Sequence, residues 1–337
     1  MADDQRRVDA TTVNPSTDAA DVTDRQRTSR TAADGTGERV VPPDSRSRRR
    51  LQDRLVIVGF LLPALLVFSV YVLWPIFNSF YYSTLEWNGI SAPVQIGLAN
   101  FQELAGDSAA WAALWHNIVL VVASLLFQLP IGLALALLLL VPLRGIKVFR
   151  TIYFLPLLMS TVAIGILWSF IYNPTFGAVN RVLGALGLDA LQRGWLGDPT
   201  WALPALIVVI SWQFIPFYMI LYRSGLTSIP SEVNEAAVVD GASYWSRFWH
   251  VTLPLLSGTT RTAVLLSIIG ALKYFDLIWI MTGGGPGNST EVLATYMYSE
   301  AFTRSNLGYG SAVAVALFFL ALVVTTVVLS RTRLAEV

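Results

Sequence analysis

The chain contains no cysteine, and histidine occurs only at His116 and His250. Disulfides and thiolate metal sites are thereby excluded. A histidine-based metal cluster or catalytic triad has too few members to form. Charge is scarce as well. Asp, Glu, Lys and Arg make up 13% of the 337 residues, against about 25% in an ordinary soluble domain. Many of those charges lie in the first 54 residues, so the remainder is poorer still. A net charge of +1 gives no argument for nucleic-acid binding. No G-x-x-x-x-G-K-[ST] run occurs, so this chain lacks the phosphate loop that ATP hydrolysis would need. Long apolar residues are nearly missing from the first 44 residues, which cannot bury enough surface to offset their ordering entropy.

What is abundant is hydrophobic surface, 54% of the residues. A bilayer core of about 30 Å is crossed by about 20 apolar residues in a helix. Six stretches qualify, roughly 55–80, 116–141, 151–172, 201–222, 261–282 and 308–330. The expected fold is therefore an all-α membrane protein with six transmembrane helices. Residues 1–50 are expected to form a disordered cytoplasmic tail, and 51–334 the six-span domain. The flanking Lys and Arg residues divide thirteen against three between the two sides. The richer side holds Arg46, Arg48–Arg50, Arg54, Arg144, Lys147, Arg150, Arg223, Arg247, Arg261, Arg331 and Arg333. The poorer side holds Arg181, Arg193 and Arg304. The positive-inside rule then puts both termini, and the loop at about 228–256, in the cytoplasm.

That loop carries the most ordered polar sequence in the chain, from Pro230 through Glu235-Ala236-Ala237 and Gly241 to Val251-Thr252-Leu253-Pro254. Pro230 suits a first helical turn, and Glu232 its positive end. Gly241 suits a left-handed C-terminal cap. Ser243 can cap a second helix through Tyr244, Trp245, Phe248 and Trp249, ended by Leu253-Pro254. The expected shape is a helix–Gly–helix elbow. Its small alanines allow close approach to a partner groove. An amphipathic hairpin on the membrane surface is the alternative.

The arrangement E-A-A-x3-G-x9-[IV]-x-L-P resembles the coupling loop of permease subunits of binding-protein-dependent ABC importers. The single departure is Val251 where isoleucine is usual. The resemblance implies that Glu235, Ala236, Ala237, Asp240 and Gly241 dock a separate ATPase. It further implies two copies of that ATPase, a second homologous permease and an extracytoplasmic solute-binding protein, in a bacterial cytoplasmic membrane. ATP and Mg would be bound by the ATPase, so no cofactor is expected in this chain.

Other stretches are similar to the carbohydrate branch of that family, nearest the larger maltose-system permease. They are Asp240-Gly241-Ala242; Gly97-Leu98-Ala99-Asn100-Phe101; Leu155-Pro156, Trp168, Pro174, Gly177 and Asn180; and Phe275-Asp276 with Thr282, Gly284, Gly285, Pro286 and Thr290. They imply import of a sugar, a di- or oligosaccharide, by alternating access. A glycerol phosphate or a polyol would share every motif. A proton-coupled transporter using Asp276 as its relay is a further alternative.

Sugars are held by aromatic faces and hydrogen-bonding side chains. In the fourth span Trp212, Gln213 and Tyr218 are candidates for the substrate path, and in the fifth Lys273, Asp276 and Trp279. On a continuous helix Lys273 and Asp276 would share a face and could pair. Asp276 then either shapes a cavity, forms a structural ion pair or touches the partner permease. Gly308, Ala312 and Ala316 form a small-xxx-small stripe that suits helix packing. Gly283–Gly287 is not a phosphate loop, because no buried strand precedes it and no G-K-[ST] follows.

Overall fold

A computed structural model describes residues 43–140 and 145–333, the side chains of 43–55, Lys147 and 331–333 excepted. The expected tail lies outside the described residues as far as 42. Its last residues enter the first helix, α1 (Pro43–Phe68). The described chain divides at Ser69 and Val70 into two units. In the first, the apolar side chains of α1 from Val56 onward are exposed. An aqueous solvent would penalise such a surface, whereas lipid tails accept it.

The second unit begins with α2 (Trp74–Tyr82) and a two-residue hairpin, Leu85–Glu86 against Val94–Gln95. Then come α3 (Ala99–Gly106), α4 (Ser108–Ala123) and α5 (Leu129–Leu138). After the undescribed residues 141–144 follow α6 (Ile146–Leu158), α7 (Thr161–Ile171) and α8 (Ala178–Ala185). The long α9 (Ala202–Thr227) leads to α10 (Ser231–Val239), α11 (Tyr244–Arg247) and α12 (Leu253–Leu255). The chain closes with α13 (Ser257–Leu272), α14 (Asp276–Met281), α15 (Leu293–Tyr298) and α16 (Leu307–Arg333).

Four helical stretches are long and apolar enough to cross a membrane: Val56–Tyr82, Ser108–Leu138, Ala202–Thr227 and Leu307–Ser330. The second starts well before the expected 116, because Asp107 caps it and accepts the Ala109 N–H through its side chain. Two further apolar stretches are bent pairs. Val148–Leu158 meets Thr161–Ile171 at 102°, and Tyr244–Leu255 meets Ser257–Leu272 at 66°. The expected third span, 151–172, is thus not one straight helix. Its second half is roughly 16 Å long at 1.5 Å per residue, too short to cross alone. The expected fifth span, 261–282, is interrupted too: α13 stops at Leu272 and α14 restarts at Asp276.

Three helices pass through a proline by the same device. A π turn at Ser69–Leu73, at Ser124–Gln128 and at Phe248–Thr252 ends two residues before Pro75, Pro130 and Pro254. Proline lacks an N–H and collides with the carbonyl four residues back. Widening the preceding turn displaces that carbonyl and lets the helix continue. Leu253-Pro254 stands at the end of its helix, as the sequence suggests: the stretch runs to Leu255 and then bends by 66° into Ser257–Leu272.

Fully buried Leu206, Val209, Ile210, Ile164 and Ile278 gather α9, α7 and α14 into one core. Met219, Leu256, Ala263 and Ala136 gather α9, α5 and α13 into a second. The α7 and α14 half-helices touch closely at Gly165, where an added Cβ would lie 2.8 Å from Ile280 Cγ2.

Candidate functional site

The two interruptions meet. Thr161 opens α7 just after the bend, and Lys273, Tyr274 and Phe275 form the unwound link between α13 and α14. Together with Phe214, Phe217 and Tyr218 of α9 they wall a cavity of about 350 Å³, with Asp276 at its edge. Non-helical backbone at membrane depth is tolerated only where it is buried in protein or lines a cavity.

Of the six residues expected along the path, Tyr218, Lys273 and Asp276 share this wall. Gln213 stands behind it and donates from Nε2 to Thr161 Oγ1 at 3.2 Å. Trp212 leans edge-on against Trp168, ring centres 5.5 Å apart. Trp279 packs on Phe275 and Tyr298, and neither tryptophan is on the cavity wall. Lys273 and Asp276 do not share a helix face, because the helix ends between them. No ion pair joins them among the described residues. Both are exposed to the cavity side. The cavity also has a group that the sequence did not single out, Thr161, beside Tyr274 of the fifth apolar stretch. Gln213 Oε1 and Trp168 Nε1 are buried with no partner. Such atoms are uncommon in folded proteins, and both belong to residues off the cavity lining.

The loop at 230–256 folds as two short helical arms. Pro230 stands at the N-cap of α10, one place earlier than its suitability for a first turn suggests. Gly241 has φ +75°, the left-handed conformation expected of a cap. The Ala242 N–H reaches back to the Ala237 carbonyl at 3.0 Å. The Ser243 hydroxyl accepts the Ser246 N–H and starts the second arm. No residue of α10 is buried. Glu235, Ala236, Asp240 and Gly241 are exposed and Ala237 half-buried. Val239 is 85% exposed at the tip.

Several motif residues turn out to be fasteners. Asn100 donates to the carbonyls of Ser83 and Leu85, each at 2.9 Å, and holds the hairpin. Asn180 donates to Pro174 and Arg193 carbonyls and accepts the Trp195 indole N–H at 2.8 Å. Thr290 hydrogen-bonds Thr282 and the Gly285 carbonyl, each at 2.8 Å, and closes the Gly-Gly-Pro turn. Gly308 serves the hairpin rather than a neighbouring helix, since a Cβ there would stand 2.0 Å from the Leu85 carbonyl oxygen.

At this same end, Asp107 accepts from the hydroxyls of Tyr296 and Tyr309. Burial would raise its pKa, but these hydroxyls and the N–H groups of Ala109 and Ala110 outweigh it and hold the carboxyl below the usual range. Glu291 shifts the other way. Its burial raises it, with Glu300 and Asp107 adding to the effect against Arg304. The His116 Nδ1–H donates to the Glu291 carbonyl at 2.7 Å. Among the described residues no cluster of three or more His, Asp and Glu could hold a metal ion.

Residues 128–334 match the family model described as the binding-protein-dependent transport system inner membrane component. The chain belongs to that permease family. A probable ABC transporter permease protein of Pyrococcus horikoshii is 39% identical over 82% of this chain and 95% of its own. The trehalose/maltose transport system permease protein MalF of Thermococcus litoralis is 32% identical over 86% and 98%. The crystal structure of a bacterial ABC transporter involved in the import of the acidic polysaccharide alginate contains a similar chain. That chain superposes with a TM-score of 0.76 and 25% identity over 86% of the permease and 98% of itself. The permease is a transporter subunit, not an enzyme, and the ATPase of such importers is a separate subunit.

Proposed function

We propose that this permease forms half of the translocation path of an ATP-driven sugar importer, and that the elbow at 231–255 is its contact with the ATPase. The observation that carries the second part is that α10 has no buried residue. A short helix with Val233, Ala236 and Val239 unburied gains little by itself in water and suits a groove on another protein. Glu235, Ala236, Ala237, Asp240 and Gly241 make the contact. The elbow and both termini face the cytoplasm. A second, related permease completes the path, two ATPase copies drive it, and a solute-binding protein delivers sugar on the opposite face.

Closure of the ATPase pair on ATP displaces both elbows and tilts the helices that follow them. The cavity at Thr161, Tyr218 and 273–276 then opens outward and accepts sugar, and hydrolysis returns it inward. Aromatic rings supply stacking faces, while Thr161, Lys273 and Asp276 supply polar partners and Gln213 orients Thr161 from behind. Extraction in mild detergent followed by identification of bound chains tests the assembly. Recovery of a Walker-A ATPase and a second permease supports it. A preparation of this chain alone that transports without ATP refutes it and favours proton coupling.

Lys273 and Asp276 both line the cavity with no ion pair between them, so the wall offers one group of each charge and favours neither a neutral nor an acidic sugar. Competition of uptake by neutral and acidic oligosaccharides separates the two substrate classes.

A further inference from the structure

The second arm of the elbow, Tyr244–Leu255, meets α13 at 66°. If α13 runs across the bilayer, the arm lies closer to the membrane plane than to its normal. Its Tyr244, Trp245 and Trp249 are 62%, 67% and 57% exposed. Tyrosine and tryptophan concentrate where headgroups meet acyl chains. Between this arm and Leu129, Leu133 and Ala134 of α5 runs an apolar groove of about 590 Å³. A second cavity of about 380 Å³ adjoins it, sharing Leu137, Tyr244 and Phe248, and carries Arg247 on its wall. The Arg247 Nε is buried and has no hydrogen-bond partner.

A buried guanidinium N–H without an acceptor is costly where water is partly excluded. The ligand it suits best is a phosphate or carboxylate, taken by paired N–H donors. The groove beside it suits a hydrocarbon chain. One molecule satisfies both. We propose that the two cavities bind an anionic phospholipid, its phosphate on Arg247 and one acyl chain in the groove along α5. The site rests on the elbow lying at the cytoplasmic surface, as proposed above. Asn234, next to Glu235, lines the Arg247 cavity, so the lipid borders the helix that meets the ATPase and links membrane composition to coupling.

The whole importer, extracted from membranes containing both anionic and zwitterionic phospholipids, is analysed for retained lipid by native mass spectrometry. Wild type is expected to keep an anionic phospholipid. Arg247→Gln is expected to keep about tenfold less, the effect of one lost charge-assisted contact. Ala134→Trp, which fills the groove and leaves the arginine in place, is expected to displace the lipid as well. Equal retention by Arg247→Gln, or retention of zwitterionic lipid alone by wild type, would overturn the site. So would a photo-crosslinker at position 245 that joins the second permease instead of lipid. Absence of the ATPase from the wild-type preparation would count against the importer itself, and the lipid count would still decide the site.

Discussion

The side chain of Asn117 donates to the carbonyl of Ala271 at 3.1 Å. That carbonyl is in the last turn of α13, where no further helical N–H follows to meet it. The same side chain accepts the Leu293 N–H at 2.9 Å, at the start of α15. Asn117 itself is fully buried. One amide in α4 therefore fastens the broken end of the fifth apolar stretch to the helix beyond the Gly-Gly-Pro turn.

Replacing Asn117 with leucine leaves a buried carbonyl and a buried N–H unpaired. Each orphan costs roughly 1–3 kcal/mol. The expected result is a clear drop in the thermal midpoint of the detergent-purified complex, with uptake reduced at elevated temperature first. Asn117→Asp, which keeps only an acceptor when ionised, should retain the Leu293 contact and lose the other. An unchanged midpoint in Asn117→Leu would show that the break is held elsewhere.

Asp107 and Glu291 respond oppositely to pH. Asp107 is lowered in the folded protein, so it stabilises the fold above its ordinary value of 3.8. That contribution is lost as pH falls through the folded value. Asp107→Asn is expected to be less stable than wild type at neutral pH, with the gap closing in strong acid. Glu291 is raised from its ordinary 4.5. The folded state then binds more protons, and stability falls as pH rises from that value through the folded one. Glu291→Gln is expected to gain stability at neutral pH and none in acid. Thermal midpoints across pH check both.

Gly241 has φ +75°, a conformation that a β-branched residue resists. Gly241→Val should lower ATP-dependent uptake several-fold while the chain still inserts. ATPase activity that no longer responds to substrate would place the fault at the elbow. Normal uptake would argue that the elbow's shape is unimportant.

Lys273 and Asp276 are not an ion pair, so a double-mutant cycle of Lys273→Met and Asp276→Asn should give a coupling near zero in stability. Each single change should alter the apparent affinity for sugar and leave assembly intact. A large coupling would mean the two charges do meet.

The element types, the apolar stretches and the elbow were legible in the sequence. Gly241 and Ser243 announce their conformations through residue chemistry alone. The breaks were not legible. Hydropathy averages over a window, so Ser160 and Lys273 vanish among apolar neighbours, and a bent pair looks like one span. Spacing alone consequently puts Lys273 and Asp276 on one helix face that the chain does not form. Asn100, Asn180 and Gly308 were visible as motif residues, but their carbonyl partners lie across turns that spacing does not reveal. Trp279 sits on the short α14 beyond the break, whose rotation periodicity does not fix, and Trp212 turns to Trp168 of α7.

The exposed elbow can be probed directly, because the chain has no cysteine of its own. Ala236→Cys, labelled with a benzophenone maleimide in native membranes and illuminated, marks whatever lies against α10. The predicted result is an adduct with an ATP-binding-cassette ATPase. It should be absent when the same label is placed on Val94→Cys at the opposite end. An adduct with lipid alone, or none, in membranes that transport sugar normally would contradict the elbow as the ATPase contact.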